Sequence, residues 1–129
     1  MTGRRQLIPR LSLSLPLLLA SALSLAACSS TPSKATVAAR ESARSACVSL
    51  QQLTDHLARP RPANPGDPYY ETAEQYLNTA TNRAAEAAQQ DHGYQEFADT
   101  LHRAAQTLQV TFLLDEAEPL IQQARKKNC

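Results

Sequence analysis

The sequence predicts an all-α protein: a small up-down helical bundle of three long helices plus a short C-terminal one. Two observations carry this. From Lys34 onward the apolar residues, mostly Ala and Leu, recur at alternating steps of three and four, the repeat of a helix that packs one stripe on a neighbour. The repeat is interrupted by a proline run, by Gly93 and by a change of phase after Phe112, and these breaks divide it into helix-length pieces. Residues 34–129 suffice for one domain with one modest core, and with no Trp in the chain that core is built largely from Ala and Leu.

The first helix is expected from about Lys34 to Arg59, with Ala39, Ala43, Ala46, Leu50, Leu53 and Leu57 on its inner stripe. Arg59-Pro60-Arg61-Pro62-Ala63-Asn64-Pro65-Gly66-Asp67-Pro68 ends it, because proline lacks an amide donor and pushes the residue before it out of helical geometry. Asp67 followed by Pro68 reads as an N-cap and a first-turn proline, and Glu71 and Glu74 sit early, where the positive helix end favours them. The second helix so begun carries Tyr70, Ala73, Leu77, Ala80, Ala84 and Ala87 and runs to about Gln90, after which Gly93 allows a turn. The third carries Tyr94, Ala98, Leu101, Ala105, Leu108 and Phe112. Beyond Phe112 the same register would bury Asp115 and Pro119, and a new stripe of Leu114, Ala117, Ile121 and Ala124 replaces it. Asp115, Glu116 and Glu118 ahead of this stripe, with Arg125, Lys126 and Lys127 at its end, complement the dipole of a separate short helix.

The N-terminal residues follow different rules. Arg4, Arg5 and Arg10 flank an apolar stretch from Leu11 to Leu25, shorter than the roughly 20 residues of a spanning helix, and Leu25-Ala26-Ala27-Cys28 closes it. This order of zones resembles a bacterial lipoprotein signal, with Leu25–Cys28 in the place of the lipobox. The resemblance covers the first 28 residues and implies location, not activity. It implies that residues 1–27 are cleaved, that the Cys28 thiol carries a diacylglycerol as a thioether, and that residues 28–33 tether a bundle of residues 34–129. The protein is then lipid-anchored at the extracytoplasmic face of a cell membrane. Ser29, where that family's retention signal has an aspartate, points to the outer membrane if the cell has two. Arg4-Arg5-Gln6-Leu7-Ile8 also resembles the core of a twin-arginine export signal, which leaves the export route open.

With Cys28 assigned to lipid by that resemblance, Cys47 and Cys129 remain as an even pair in an oxidising compartment, and a disulfide is expected between them. The pairing bears on the path of the chain. At 1.5 Å per residue, a third helix continued to Lys127 would leave Cys129 roughly 18 Å along the axis from Cys47, whereas bonded cysteines need Cα atoms within about 7 Å. A reversal near Leu114 to Glu116 and a descending helix of about 12 residues bring the two level, so the fourth helix is expected to be distinct.

Function is bounded more than it is specified. Without Arg4, Arg5 and Arg10, the 13 basic and 12 acidic residues become 10 and 12, a net charge near −2. No Lys/Arg stripe interleaves with aromatics, so nucleic acid is not an expected partner. Asp99 and His102 share a helix face, but a bundle metal site needs a second such pair opposite. Asp55-His56 and Asp91-His92 point in different directions, and all three histidines are expected on solvated faces. There is no nucleophile elbow, and three glycines do not build a phosphate loop, so no enzyme, metal or cofactor is expected. In an up-down bundle the end far from the lipid gathers the Pro-rich loop, Tyr69, Tyr70 and the acidic turn Asp115–Glu118. Arg61, Tyr69 and Tyr70 are the candidates for partner binding, beside the bare PxxP spacing of Pro62-Ala63-Asn64-Pro65. The expected function is non-catalytic: binding or regulating an envelope or membrane protein. The alternative is a carrier of a small apolar ligand between helices, which an Ala-dominated core disfavours by leaving less than the roughly 300 Å³ that ligand sites occupy.

Overall fold

A computed structural model describes residues 34–129. The segments expected to be a lipoprotein signal with Cys28 in its lipobox and a tether of residues 28–33 lie outside the described residues. Among the described residues there are four α-helices and no strand: α1 (Lys34–Leu57), α2 (Pro68–Gln90), α3 (Gln95–Thr111) and α4 (Leu114–Asn128). The protein is an all-α bundle in which α1 packs on α2, α2 on α3 and α3 on α4.

The element boundaries follow local chemistry. The Asp67 side chain accepts from the Tyr69 amide at 2.9 Å, and Pro68 opens α2, so two of the helix's orphan amides are accounted for. At the other end of α2 the turn is made by Asp91 rather than by glycine freedom. Asp91 is extended, its side chain accepts from the Gly93 amide at 2.9 Å, and Gly93 itself has an ordinary backbone angle. A single 3-10 turn at His92–Tyr94 then leads directly into α3.

The chain reverses after Thr111, slightly earlier than expected. Phe112 takes the left-handed conformation (φ 56°, ψ 19°) and its amide donates to Leu108 O at 2.8 Å, closing α3. This position selects glycine or asparagine, because a Cβ crowds the backbone there. α4 is consequently 15 residues long and starts at Leu114.

The disulfide between Cys47 and Cys129 is present, with Cα atoms 5.7 Å apart. α4 runs antiparallel to α1. Arg125 Nη2 donates to Gln51 Oε1 at 2.8 Å one turn from the disulfide, and Arg61 pairs with Asp115 and Glu118 at the opposite end. Each step forward on one segment is thus matched by a step back on the other. Between those ends α4 leans chiefly on α3.

The core is the expected alanine stripe with a few large side chains. Ala39, Ala46, Ala73, Ala80, Ala84, Ala87, Ala104 and Ala117 are fully buried. Phe97, Leu50, Leu53, Leu77, Leu101 and Ile121 are each less than 2% exposed, and burying one such side chain contributes roughly 1.5–3 kcal/mol. Four readings are corrected. Tyr69, not Tyr70, fills the first core position of α2, since at 3.6 residues per turn both lie within reach of the stripe through Ala73. His56 is buried instead of solvated: its ring stacks on Tyr69 with centroids 4.3 Å apart, and Nε2 donates to Tyr69 O at 2.8 Å. Phe97 is the largest fully buried side chain of α3, one residue off the expected stripe. Phe112, expected on that stripe, is 82% exposed because the left-handed residue turns out of the helix.

Candidate functional site

The end of the bundle where α1 stops, α2 starts, α3 stops and α4 starts holds a groove of about 660 Å³. Its walls come from two helices presenting the same one-turn spacing. α2 contributes Tyr70, Glu71 and Glu74, and α3 contributes Leu108, Gln109 and Phe112, in each case residues i, i+1 and i+4. The loop Pro65–Asp67 closes one side, and Leu113, Leu114 and Asp115 close the other. Apolar side chains from Tyr70, Leu108 and Phe112 thus meet carboxylates from Glu71, Glu74 and Asp115.

Local hydrogen bonds fix this geometry. Asn64 Oδ1 accepts from the Gly66 amide at 3.0 Å, bending the loop back toward α2, and the Asp67 amide donates to Asn64 O at 3.1 Å. Tyr70 donates its hydroxyl to Pro62 O at 2.7 Å, which ties the proline run to the α2 wall. Arg61 reaches α4 with both guanidinium nitrogens, donating through Nη1 to Asp115 and through Nη2 to Glu118 Oε2 at 2.9 Å. The hydrogen bond to Asp115 raises the Arg61 pKa above its already high ordinary value, with Glu118 adding to it against the desolvation of the guanidinium.

Of the candidates read from the sequence, the structure brings Arg61 and Tyr70 together on the groove and leaves Tyr69 out of it. Arg61 arrives with its charge already partnered by two carboxylates. Tyr69 lies in the core beneath, 8% exposed, with a buried hydroxyl that has no hydrogen-bond partner. Val110, Phe112 and Leu113 were missed as surface residues: they are 79%, 82% and 53% exposed at the α3–α4 turn. The failure of the third stripe's phase after Phe112 was the sequence signal for them, since a turn placed there releases those residues from any packing face.

Other constellations do not assemble. Asp99 accepts from Gln95 Nε2 on its own helix at 2.9 Å, and His102 is exposed. Among the described residues no group of three or more His, Cys, Asp or Glu side chains is placed to hold a metal ion. No helix among them is long and apolar enough to cross a membrane. A second depression, of about 480 Å³, lies over the disulfide and is lined by Gln51, Gln122, Arg125 and Lys126 with the two cysteines.

The fold and the groove define a small helical bundle with an open, amphipathic recess at one end. No family model, curated protein or solved structure matches the chain.

Proposed function

We propose that this is a non-catalytic docking protein, anchored at the extracytoplasmic face of a membrane by a lipid on Cys28, whose α3–α4 turn and adjoining groove bind an envelope or membrane protein. The observation that carries the reading is Phe112. It is the one non-glycine with a positive φ among the described residues, and its side chain is 82% exposed beside a groove. Glycine or asparagine would serve the turn at lower cost, so retaining a solvent-facing aromatic there is accounted for by what the ring touches when a partner is bound. Val110 and Leu113 extend the apolar surface around it.

The anchor comes from the lipoprotein resemblance of the first 28 residues and is tested separately. Membrane-extracted protein should have an intact mass lacking Met1–Ala27 and carrying a lipid, and Cys28→Ser should release it. For docking, a photo-crosslinking amino acid placed at position 112 in cells should give a discrete adduct, whereas the same group at the exposed Val48 should not. Equal labelling at both positions, or none at 112, would remove the docking reading.

A second reading, the carrier of a small apolar ligand, has one observation in its favour: about 660 Å³ lies within the range of small-molecule sites. The recess is at the rim of the bundle and not between closed alanine-lined helices, and a ligand confined to it leaves Val110 in water. Docking of a polypeptide covers both.

A further inference from the structure

The geometry points to the chemistry of the occupant: we propose that the groove receives a basic, amphipathic peptide segment of another protein. One or two bulky apolar side chains seat against Tyr70, Leu108 and Phe112, and neighbouring Lys or Arg side chains reach the carboxylates of the rim. This rests on the docking reading above and adds the class of partner.

Charge complementarity is the first argument. Among the described residues four carboxylates line the groove, those of Asp67, Glu71, Glu74 and Asp115, against one cation, Arg61. Asp67 is used in capping α2, and Arg61 divides itself between Asp115 and Glu118. Glu71 receives only a neutral hydrogen bond from Gln75 Nε2 at 3.4 Å, and neither Glu71 nor Glu74 has a cationic partner among the described residues. The helix dipole accounts for Glu71, in the opening turn of α2, but its influence fades within that turn, so Glu74, expected from the sequence to share it, lies beyond its reach. The groove therefore presents uncompensated negative charge above an apolar floor, and a cationic partner is the one it selects.

The extent of the apolar surface is the second argument. Phe112 and Leu113 line the groove while remaining 82% and 53% exposed, and Val110, 79% exposed, lies outside it. A small amphiphile filling the recess leaves that surface wet, and a peptide segment crossing the turn covers it. Among the described residues, the C-terminal basic run of a second copy is poorly matched: Arg125 is engaged with Gln51 and Lys127 with Glu96, and the apolar neighbours Ile121 and Ala124 are buried. The exposed stripe of Val37, Arg40, Arg44 and Val48 on α1 is the segment with which a second copy would compete, and its valines are smaller than the side chains the groove seats.

The test uses the full chain reconstituted in neutral phosphatidylcholine nanodiscs, with empty discs as the reference. Three probes are compared: a labelled Leu/Lys amphipathic peptide, its Leu/Glu counterpart, and dodecyltrimethylammonium. The Leu/Lys peptide should bind saturably and shift the methyl resonances of Leu108, Val110 and Leu113. Its affinity should fall about tenfold or more between about 0.1 M and about 1 M salt, and by a similar factor in the double variant E71Q/E74Q, whose circular dichroism should be unchanged. Equal binding of the Leu/Glu peptide, or an unaltered affinity in E71Q/E74Q, overturns the proposal. So does surfactant binding that matches the peptide, which assigns the groove to a small amphiphile, or self-association that blocks it, which assigns it to a second copy. If the peptide fails while position 112 still crosslinks in cells, the basic occupant falls and the docking reading stands; if both fail, both fall.

Discussion

Phe112 holds a backbone conformation that costs an L residue roughly 1–2 kcal/mol, and at 82% exposure its ring recovers little of that from burial. Phe112→Gly should therefore raise the unfolding free energy by about 1 kcal/mol in urea titrations while abolishing crosslinking from a probe placed at the neighbouring Leu113. A loss of stability would mean that the ring packs on the bundle and is not held out for a partner. Tyr69 is the reverse case, a core ring stacked on His56 with a polar atom that has nowhere to bond. Tyr69→Phe removes that desolvated hydroxyl and keeps the ring, so its stability should equal the parent's or exceed it by up to about 1 kcal/mol. A clear destabilisation would show that the hydroxyl has a partner, such as a buried water. Tyr69→Ala, which loses the ring as well, should cost about 3–5 kcal/mol and supplies the scale for the comparison.

At the level of the helices, α4 contains its own weak point. Pro119, the sixth residue of α4, is exposed, and without an amide it leaves the Asp115 carbonyl without its helical donor. Pro119→Ala should stabilise the domain by about 1–3 kcal/mol, net of the entropy returned to the unfolded chain, as read from denaturation midpoints; no gain would mean that the local backbone has already relaxed around the ring. The order and type of the helices were legible from periodicity, the Asp67-Pro68 start and the phase break after Phe112, because each is a local signal. Tyr69 against Tyr70 was not, since a 3.6-residue period places two adjacent side chains almost equally near the stripe and the choice falls to His56, thirteen residues away. Phe97 was hidden for the same reason beside Ala98. The groove had no single-segment signal at all. It exists because Tyr70 and Leu108, on different helices, are brought beside a loop and a turn, although the gathering of Arg61, Tyr70 and the acidic turn at one end did follow from counting helices.

The bundle of residues 34–129 is closed at two separate places, where α4 meets α1 and where it meets the loop that follows α1, and the two differ in weight. At one end Arg61 joins the proline loop to Asp115 and Glu118. Its pKa is raised on folding, so the stability it contributes is fully present at every pH below the ordinary arginine range and is lost only above it. Pairs as exposed as this one contribute at most about 1 kcal/mol each. At the other end Cys47–Cys129 closes a loop of 82 residues, a constraint worth up to about 4–5 kcal/mol in the chain-entropy account, a large share of a small domain's total stability. The double variant C47S/C129S should lose most of that in non-reducing urea titrations. The loss should also be local before it is global. Leu114 and Ala117 hold the start of α4 by burial, whereas Lys126, Lys127 and Asn128 at its end are exposed and held chiefly by the disulfide, with surface polar contacts of Arg125 to Gln51 and Lys127 to Glu96 beside it. Hydrogen exchange should rise first at residues 125–128 and in α1 around Cys47, with the amides near Ala117 keeping their protection. The groove, walled by the protected end, should then keep its affinity for a bound peptide within about twofold at temperatures where the variant is folded. An even rise in exchange along α4, with the groove lost, would instead make the disulfide the fastening of the whole helix and leave the Arg61 contacts as ornaments upon it.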